Sequence, residues 1–227
     1  MRVLGLDPSL TNFGWALHDT DATGQSRCIE RGRHQTPASM GFVDRYMTLR
    51  DSLRALIQRV RPDKVGIESP FFGDSFSEGM YALFVYSNEA LKLERMDVVY
   101  FSPLQVKSHA RESLGRPDKW KMQKPDMVAA TKHDLGGGKA LNHNEADAYL
   151  VGRLAGRFWL FFDGALPETD LTPVERKLFA EVHTYTRGKK AGKTERKGLV
   201  YREEDRFFRW SQGVEGGDGG PRGDRLP

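Results

Sequence analysis

Three acidic side chains lie next to apolar or small-residue segments, where a carboxylate is costly without a positive partner. Asp7 follows the apolar segment 3–6, Glu68 follows the apolar segment 65–67, and a proline lies within two residues of each acid. Asp147 lies between two alanines in a segment rich in small residues. An ionised carboxylate beside apolar neighbours is unfavourable unless a cation pairs with it. If the three acids converge, they form an all-oxygen site for a hard divalent cation such as Mg²⁺ or Mn²⁺.

The hydrophobic pattern predicts the strands and helices that must position these acids. Short apolar or alternating segments predict strands at 2–6, 13–18, about 27–34, 64–68 and 98–101. Helical spacing, caps and prolines predict helices at 41–60, 76–95, from 103 onwards, within 119–133, at 144–158 and at 173–183. Strands with helices between them indicate an α/β fold with a central sheet.

The composition excludes several classes of protein. The chain has 227 residues, 38% of them hydrophobic, which suffices for one sizeable domain and rules out full disorder. Its single cysteine, Cys28, rules out an internal disulfide framework and predicts a reducing, intracellular compartment. Neither a membrane-spanning segment nor a signal segment is visible, so we expect a cytoplasmic protein.

The distribution of charge favours a polyanionic partner. The formal net charge is +4 at pH 7. Residues 101–133 carry seven basic and three acidic side chains, and residues 183–227 carry eleven and seven. The segment between them is acidic and contains Asp147. This order is typical of a protein that holds phosphates around a metal site, although two solvated surfaces would give the same pattern.

Four segments, in order and at compatible spacing over about residues 1–157, resemble the motifs of the RuvC family of Holliday-junction resolvases. The first two segments are Leu4-Gly5-Leu6-Asp7-Pro8-Ser9 with Thr11, Gly14 and Trp15, and Ile67-Glu68-Ser69-Pro70-Phe71. The last two are Pro103-Leu104-Gln105-Val106-Lys107 with Gly115, Lys119 and Val128, and Glu145-Ala146-Asp147-Ala148. Any one of these motifs is weak evidence, whereas four in order are strong evidence.

The resemblance implies an RNase H-like nuclease domain over residues 1–158, with a central mixed five-stranded sheet flanked by helices. It also implies Mg²⁺-dependent cleavage of branched DNA by a homodimer that takes part in recombination and repair. Two ions per site are expected, held by Asp7, Glu68 and Asp147, and Mn²⁺ would substitute for Mg²⁺. Helix 76–95 corresponds to the family segment at the dimer interface.

The last acidic motif departs from the family pattern at one position. Many members carry an acid three residues before the final aspartate, and this chain has Asn144 there. An amide can ligate weakly but brings no charge. His143, four residues before Asp147, lies on nearly the same helical face and could bind the metal or accept a proton from water. The sequence leaves His143 and Asn144 open as the fourth member of the catalytic and metal-binding set.

Basic and aromatic residues in the matched segments predict DNA contacts. Lys119 matches the family's lysine near the scissile phosphate and is a candidate for stabilising charge on a phosphoryl oxygen. Lys107, Lys121 and Lys124 are predicted to contact the phosphate backbone without reading bases. Phe71, three residues after Glu68, is predicted to stack on an unpaired base at the branch point.

The C-terminal region lies beyond the resemblance. Residues 159–212 are predicted to form a small basic extension of unknown fold, with some apolar segments that must pack on the core or across a dimer. Residues 213–227 contain six glycines and two prolines and predict a disordered tail. Such an extension fits a virus-encoded member of the family, acting in the host cytoplasm. Phosphate contacts are predicted in this extension for Arg187, Lys189, Lys190 and Lys193.

Two other functions are compatible with parts of the pattern. Another RNase H-like nuclease, acting on RNA–DNA hybrids or flaps, would use the same three acids, although the segment 107–119 and Phe71 favour branched DNA. A non-catalytic binder of branched DNA would explain Asn144 as the remnant of a lost metal site. Such a binder has no need of buried acids near phosphates, which argues against it.

Overall fold

A computed structural model describes residues 1–69, 78–136, 141–180, 182–188, 191–192, 194–196, 199–203, 206–209 and 224–225. Within these ranges one mixed sheet contains β1 (Arg2–Asp7), β2 (Asn12–Thr20), β3 (Ser26–Gln35), β4 (Lys64–Glu68), β5 (Val98–Phe101), β8 (Val200–Glu203), β9 (Arg206–Arg209) and β10 (Asp224–Arg225). Across the sheet the strands lie in the order β10-β9-β8-β5-β4-β1-β2-β3. The pairs β1–β4 and β4–β5 are parallel, and the other neighbours are antiparallel.

The predicted α/β fold is confirmed, and the strand count is corrected. The five predicted strands are all present and adjacent, in the order β3-β2-β1-β4-β5. The extension adds three more strands at the β5 edge, so the sheet has eight strands among the described residues. Asp224 and Arg225 pair with β9, and the predicted disorder of the tail at 213–227 stays a prediction. The other residues of the predicted tail lie outside the described part of the chain.

Helices cover both faces of the sheet. They are α1 (Phe42–Val60), α2 (Glu78–Leu93), α3 (Pro103–Ser113), α4 (Lys124–Asp134), α5 (His143–Phe162) and α6 (Pro173–Glu175). One core cluster contains residues of α1 and α2, and the other contains residues of α3, α4, α5 and the extension. None of the helices in the described part of the chain has the length and apolar character that a membrane span requires.

The extension packs on the nuclease core instead of forming a separate layer. Leu199 and Tyr201 are buried in the same core cluster as α5. Helix α5 continues to Phe162, four residues past the predicted end of the nuclease domain. The helix predicted at 173–183 begins at Pro173 as expected but ends at Ala180 after a wider turn, because β6 (Val182–Thr184) starts there and pairs with β7 (Thr194–Arg196).

A buried ion pair fastens the extension to α5. Glu175 is fully buried, and its Oε1 lies 2.5 Å from Nε of Arg157. The carboxylate of Glu112, on α3, accepts hydrogen bonds from Thr172 Oγ1 at 2.6 Å and from the backbone N–H of Val174 at 3.1 Å. Residues 172–175 therefore connect α3 with α5, the two helices that carry Lys107 and Asp147.

Replacing Glu175 by alanine is expected to lower the free energy of unfolding by about 3–5 kcal/mol, because it leaves the largely buried guanidinium of Arg157 without its carboxylate partner. Urea unfolding measures this loss. The double replacement of Arg157 by Met and Glu175 by Leu is the matched control, and it should recover most of the stability because no charge remains buried. A loss below about 1 kcal/mol for Glu175→Ala would show that the pair does not hold the extension.

Candidate active site and nucleic-acid interface

Two of the predicted acids meet at one edge of the sheet. Asp7 is the last residue of β1 and Glu68 is the last residue of β4. The two strands are parallel and Leu6 pairs with Ile67, so the residues that follow them lie side by side. Because ligands of α/β sheets bind at the carboxyl ends of strands, this edge is a favourable place for a site.

Glycines in the sheet allow α5 to bring Asp147 to this edge. A Cβ atom on Gly5 would lie 2.2 Å from the carbonyl oxygen of Ala148. A Cβ atom on Gly14, which pairs with Asp7, would lie 2.2 Å from the carbonyl oxygen of Asn144. Any side chain at either glycine would push the helix away. The first turns of α5 therefore lie directly on β1 and β2, beside the strand end that carries Asp7.

The three carboxyls share one electrostatic environment. Burial raises the pKa of Asp7 well above its usual range, and repulsion from Glu68 and Asp147 adds to the effect. Burial, and next the charge of Asp147, raise the pKa of Glu68 to about 8. Burial also raises the pKa of Asp147 to about 6. The molecule therefore holds acids at positions where their charge is unfavourable, which is typical of functional sites.

The arrangement fits a hard divalent cation. The donors are carboxylate oxygens, and Oδ1 of Asp147 is buried without a hydrogen-bond partner in the described structure. Across the described ranges, no three His, Cys, Asp or Glu side chains lie close enough together to hold a metal ion among themselves. Mg²⁺ in proteins is often held by one or two carboxylates and completes its octahedral shell with water and substrate phosphate. An open set of acids at a strand end is suited to that mode of binding.

The structure places the two candidates for the fourth member differently. Asn144 is 7% exposed, and its Nδ2 donates to the backbone carbonyl of Asn12. Its Oδ1 is buried without a partner in the described part of the molecule. His143 is the first residue of α5 and is exposed. The amide oxygen of Asn144 is therefore available where α5 packs on β2, whereas the imidazole of His143 lies at the protein surface.

Two lysines act electrostatically on the carboxyls. Lys107, on α3, lowers the pKa values of Glu68 and Asp147. Lys124, the first residue of α4, lowers those of Asp7 and Asp147. Both lysines were predicted from the sequence only to contact the phosphate backbone of DNA. The sequence did contain a clue to the position of Lys124 at the start of α4, because Pro125 follows it and proline favours the first turn of a helix.

The remaining predicted contacts are exposed or lie outside the described residues. Lys119 and Lys121 are exposed in the turn between α3 and α4. Arg187 is exposed in the loop that joins β6 to β7. Phe71, Lys189, Lys190 and Lys193 fall outside the described residues.

The raised pKa of Glu68 predicts how the stability of the cation-free protein depends on pH. Between the ordinary pKa of 4.5 and the folded value of about 8, the folded state binds the proton more tightly than the unfolded state. The free energy of unfolding contributed by Glu68 therefore falls as pH rises through this window. The buried His18 and His109, with pKa values lowered to about 3, have the opposite effect on stability below pH 6.5.

Thermal unfolding in EDTA between pH 6.5 and pH 8 avoids the titration of these histidines, and comparison with Glu68→Gln separates the effect of Glu68 from that of Asp7. The Tm of the wild type is expected to fall with pH more steeply than that of Glu68→Gln, and Mg²⁺ is expected to reduce the fall because it binds only the folded site. Equal slopes for the two proteins in EDTA would contradict the assignment of a raised pKa to Glu68.

Comparisons with known proteins agree with the motifs. Residues 3–130 match the family described as crossover junction endodeoxyribonuclease RuvC. The chain is 35% identical over 133 residues to the crossover junction endodeoxyribonuclease RuvC of Chloroflexus aurantiacus strain J-10-fl, a match that covers 58% of this chain and 79% of that protein. The Chloroflexus aggregans protein of the same name is 34% identical over 133 residues, with the same coverage.

Solved structures agree on the fold. The structure is similar to that of Thermus thermophilus RuvC, with a TM-score of 0.57 and 19% identity over 73% of this chain and 98% of that one. It is also similar to T. thermophilus RuvC in complex with a Holliday junction substrate, with a TM-score of 0.57 and 18% identity over 67% and 91% of the two chains. The match over residues 3–130 covers more than half of the sequence. The chain therefore belongs to the RuvC family of crossover junction endodeoxyribonucleases.

Proposed function

We propose that the protein is a divalent-cation-dependent endonuclease that resolves four-way DNA junctions by hydrolysing phosphodiester bonds. The observation that carries this proposal is the set of three half-buried acids that interact electrostatically at one sheet edge, with Lys107 and Lys124 acting on them, in a chain of the RuvC family. The curated relatives are named for crossover junctions, and one similar structure holds a Holliday junction substrate. The activity belongs to recombination and repair, in the cytoplasm.

Asp7, Glu68 and Asp147 are the proposed metal-binding residues, with Mg²⁺ as the cation, Mn²⁺ as its substitute and two ions per site. When bound, such cations activate a water molecule and stabilise the leaving oxygen. The protein's contribution is to hold the carboxylates close together and largely away from water, so that a cation is favoured where charge is otherwise costly. Asn144 is proposed to offer its free Oδ1 to this site, and His143 to accept a proton at its exposed edge.

The lysines are proposed to act in two groups. Lys107 and Lys124 already act on the acids through space, so a phosphate bound to a cation at those acids would lie within reach of their charge. They would stabilise the negative charge that develops on the phosphoryl oxygens. The more distant basic residues would position the DNA through backbone phosphates without reading sequence. This second group comprises Lys119, Lys121, Arg187, Lys189, Lys190 and Lys193.

A homodimer is proposed because a four-way junction is resolved by two symmetric cuts, which two sites related by a two-fold axis would supply. Helix α2 packs against α1 and is the proposed interface helix. Light scattering of the purified protein should give twice the chain mass of 25.7 kDa, and with a junction bound it should give that mass plus the mass of the DNA. A single-chain mass on a junction that is cut symmetrically would contradict the dimer.

Substrate selection tests the proposal. Labelled four-way junction, linear duplex, flap and RNA–DNA hybrid would be incubated with the protein in Mg²⁺, Mn²⁺ or EDTA. Cutting of the junction alone, lost in EDTA, is the expected result. Cutting of flaps and junctions alike would indicate a general debranching nuclease, and preference for the hybrid would favour the other nuclease interpretation. Tight junction binding without cutting in either metal would favour a non-catalytic binder.

A further inference from the structure

The turn between α3 and α4 carries an exposed aromatic ring among positive charges. Trp120 is 44% exposed in this turn. Four basic residues lie within four positions of it in the chain and all are exposed, namely Arg116, Lys119, Lys121 and Lys124. A large ring that remains accessible among cations is the combination that proteins use to bind unpaired nucleic acid strands.

The ring is fixed in place by its own surroundings. The backbone N–H of Trp120 donates to the carbonyl of Pro117 at 2.8 Å, and the indole Nε1 lies 3.5 Å from Oδ2 of Asp126. The Arg116 guanidinium lies 4.9 Å from the ring centroid. Met122, two residues later, is buried in the core. A ring that is already ordered loses little conformational entropy when a ligand stacks on it.

The ring is also connected to the candidate active site. Its hydrogen-bond partner Asp126 lies in the first turn of α4, together with Lys124. Helix α4 also contacts α5 beside Asp147, since Thr131 Oγ1 donates to the backbone carbonyl of Ala146 at 3.3 Å. A DNA strand whose phosphate lies at the carboxylates would therefore run past the turn that holds Trp120.

We propose that Trp120, supported by Arg116, stacks on an unpaired nucleobase beside the branch point of the bound DNA. This inference rests on the proposed function and adds a residue that recognises the substrate. Every nucleobase has a π face, so the contact would select for an unstacked base and not for a sequence. In linear duplex the bases are stacked on one another and the ring has no free face to meet. Trp120 thus favours branched DNA over duplex.

Equilibrium binding in EDTA, where cleavage does not intervene, tests the proposal with a labelled four-way junction and a linear duplex of equal length. Trp120→Ala is expected to weaken junction binding by about 5- to 150-fold and to leave duplex binding unchanged. Trp120→Phe keeps an aromatic face and should retain most of the affinity. Ile29→Ala, on β3, is the matched control because Ile29 is 46% exposed. It should bind both substrates as the wild type does.

Salt dependence separates stacking from charge. Lys121→Ala should reduce the slope of log affinity against log salt by about 1, whereas Trp120→Ala should leave the slope unchanged. Wild-type affinity of Trp120→Ala for the junction, or an equal loss for junction and duplex, would overturn the stacking role. A wild-type protein that does not distinguish junction from duplex would instead contradict the proposed function itself.

Discussion

Replacing Asp7 by asparagine is expected to reduce junction cleavage by at least about a thousandfold while leaving junction binding intact. Asp7 is half-buried and lies close enough to Glu68 and Asp147 to be repelled by both. The amide keeps the shape of the side chain but brings no charge to hold a cation. The replacement also removes one of three mutually repelling acids, so the cation-free protein should unfold at an equal or higher temperature.

Cleavage in Mg²⁺, binding in EDTA and the Tm would be measured on the same preparation. Asp44→Asn, an exposed acid in the first turn of α1, is the matched control and should behave as the wild type in all three. Cleavage by Asp7→Asn within about tenfold of the wild type would remove Asp7 from the site. A lower Tm together with lost activity would mean that Asp7 supports the fold.

Replacing Lys124 by alanine is expected to lower the rate of cleavage by about a hundredfold or more, the usual loss when one group that stabilises transition-state charge is removed. Lys119→Ala is the matched control, because Lys119 is also an exposed lysine near the start of the same helix. It should cleave at nearly the wild-type rate. Both variants lose one phosphate contact, so both should lower the salt slope of DNA binding by about 1.

Single-turnover cleavage of a labelled junction separates the two lysines, because it reports the chemical step and not binding or product release. The family motif suggested Lys119 for the scissile phosphate, whereas Lys124 is the lysine whose charge acts on Asp7 and Asp147. A larger loss of rate in Lys119→Ala than in Lys124→Ala would contradict the assignment drawn from the structure.

The sequence was sufficient to predict the centre of the sheet and the edge at which its acids meet. Asp7 and Glu68 each end an apolar strand, and parallel strands bring such ends together. The small residues around Asp147 indicated a helix that packs closely on a sheet. The complementary signal, Gly5 and Gly14 in the strands, was within the first motif but its packing role was missed. That role became visible only when the helix was placed over the two glycines.

The path of the extension was not predictable from its sequence. Its apolar residues showed that it must pack, but they did not show on which edge. Strand β8 pairs with β5, where Tyr201 packs on Phe162 with ring centroids 4.8 Å apart. Arg202 is 1% exposed and donates to backbone carbonyls of Asn88 and Met96 at 3.2 and 3.1 Å. Such tertiary partners override the usual expectation that arginine lies at the surface.

The charges that surround the acids could not be predicted from the sequence without the fold. Lys107 and Lys124 come from two different helices, and only their packing around α5 brings both charges to the carboxyls. Lys119 was the better match by motif, yet it precedes the helix that begins at Lys124. The motif still assigns Lys119 to the scissile phosphate, and the two alanine variants decide between it and Lys124.

Cation-dependent, paired cutting of four-way junctions at these half-buried carboxylates is tested most directly by mapping the cuts on a junction labelled in turn on each strand. We expect symmetric nicks in two opposing strands with Mg²⁺, none in EDTA, and none with Asp7→Asn in either condition. Nicks that persist in EDTA, or that appear equally in linear duplex, would contradict this mechanism.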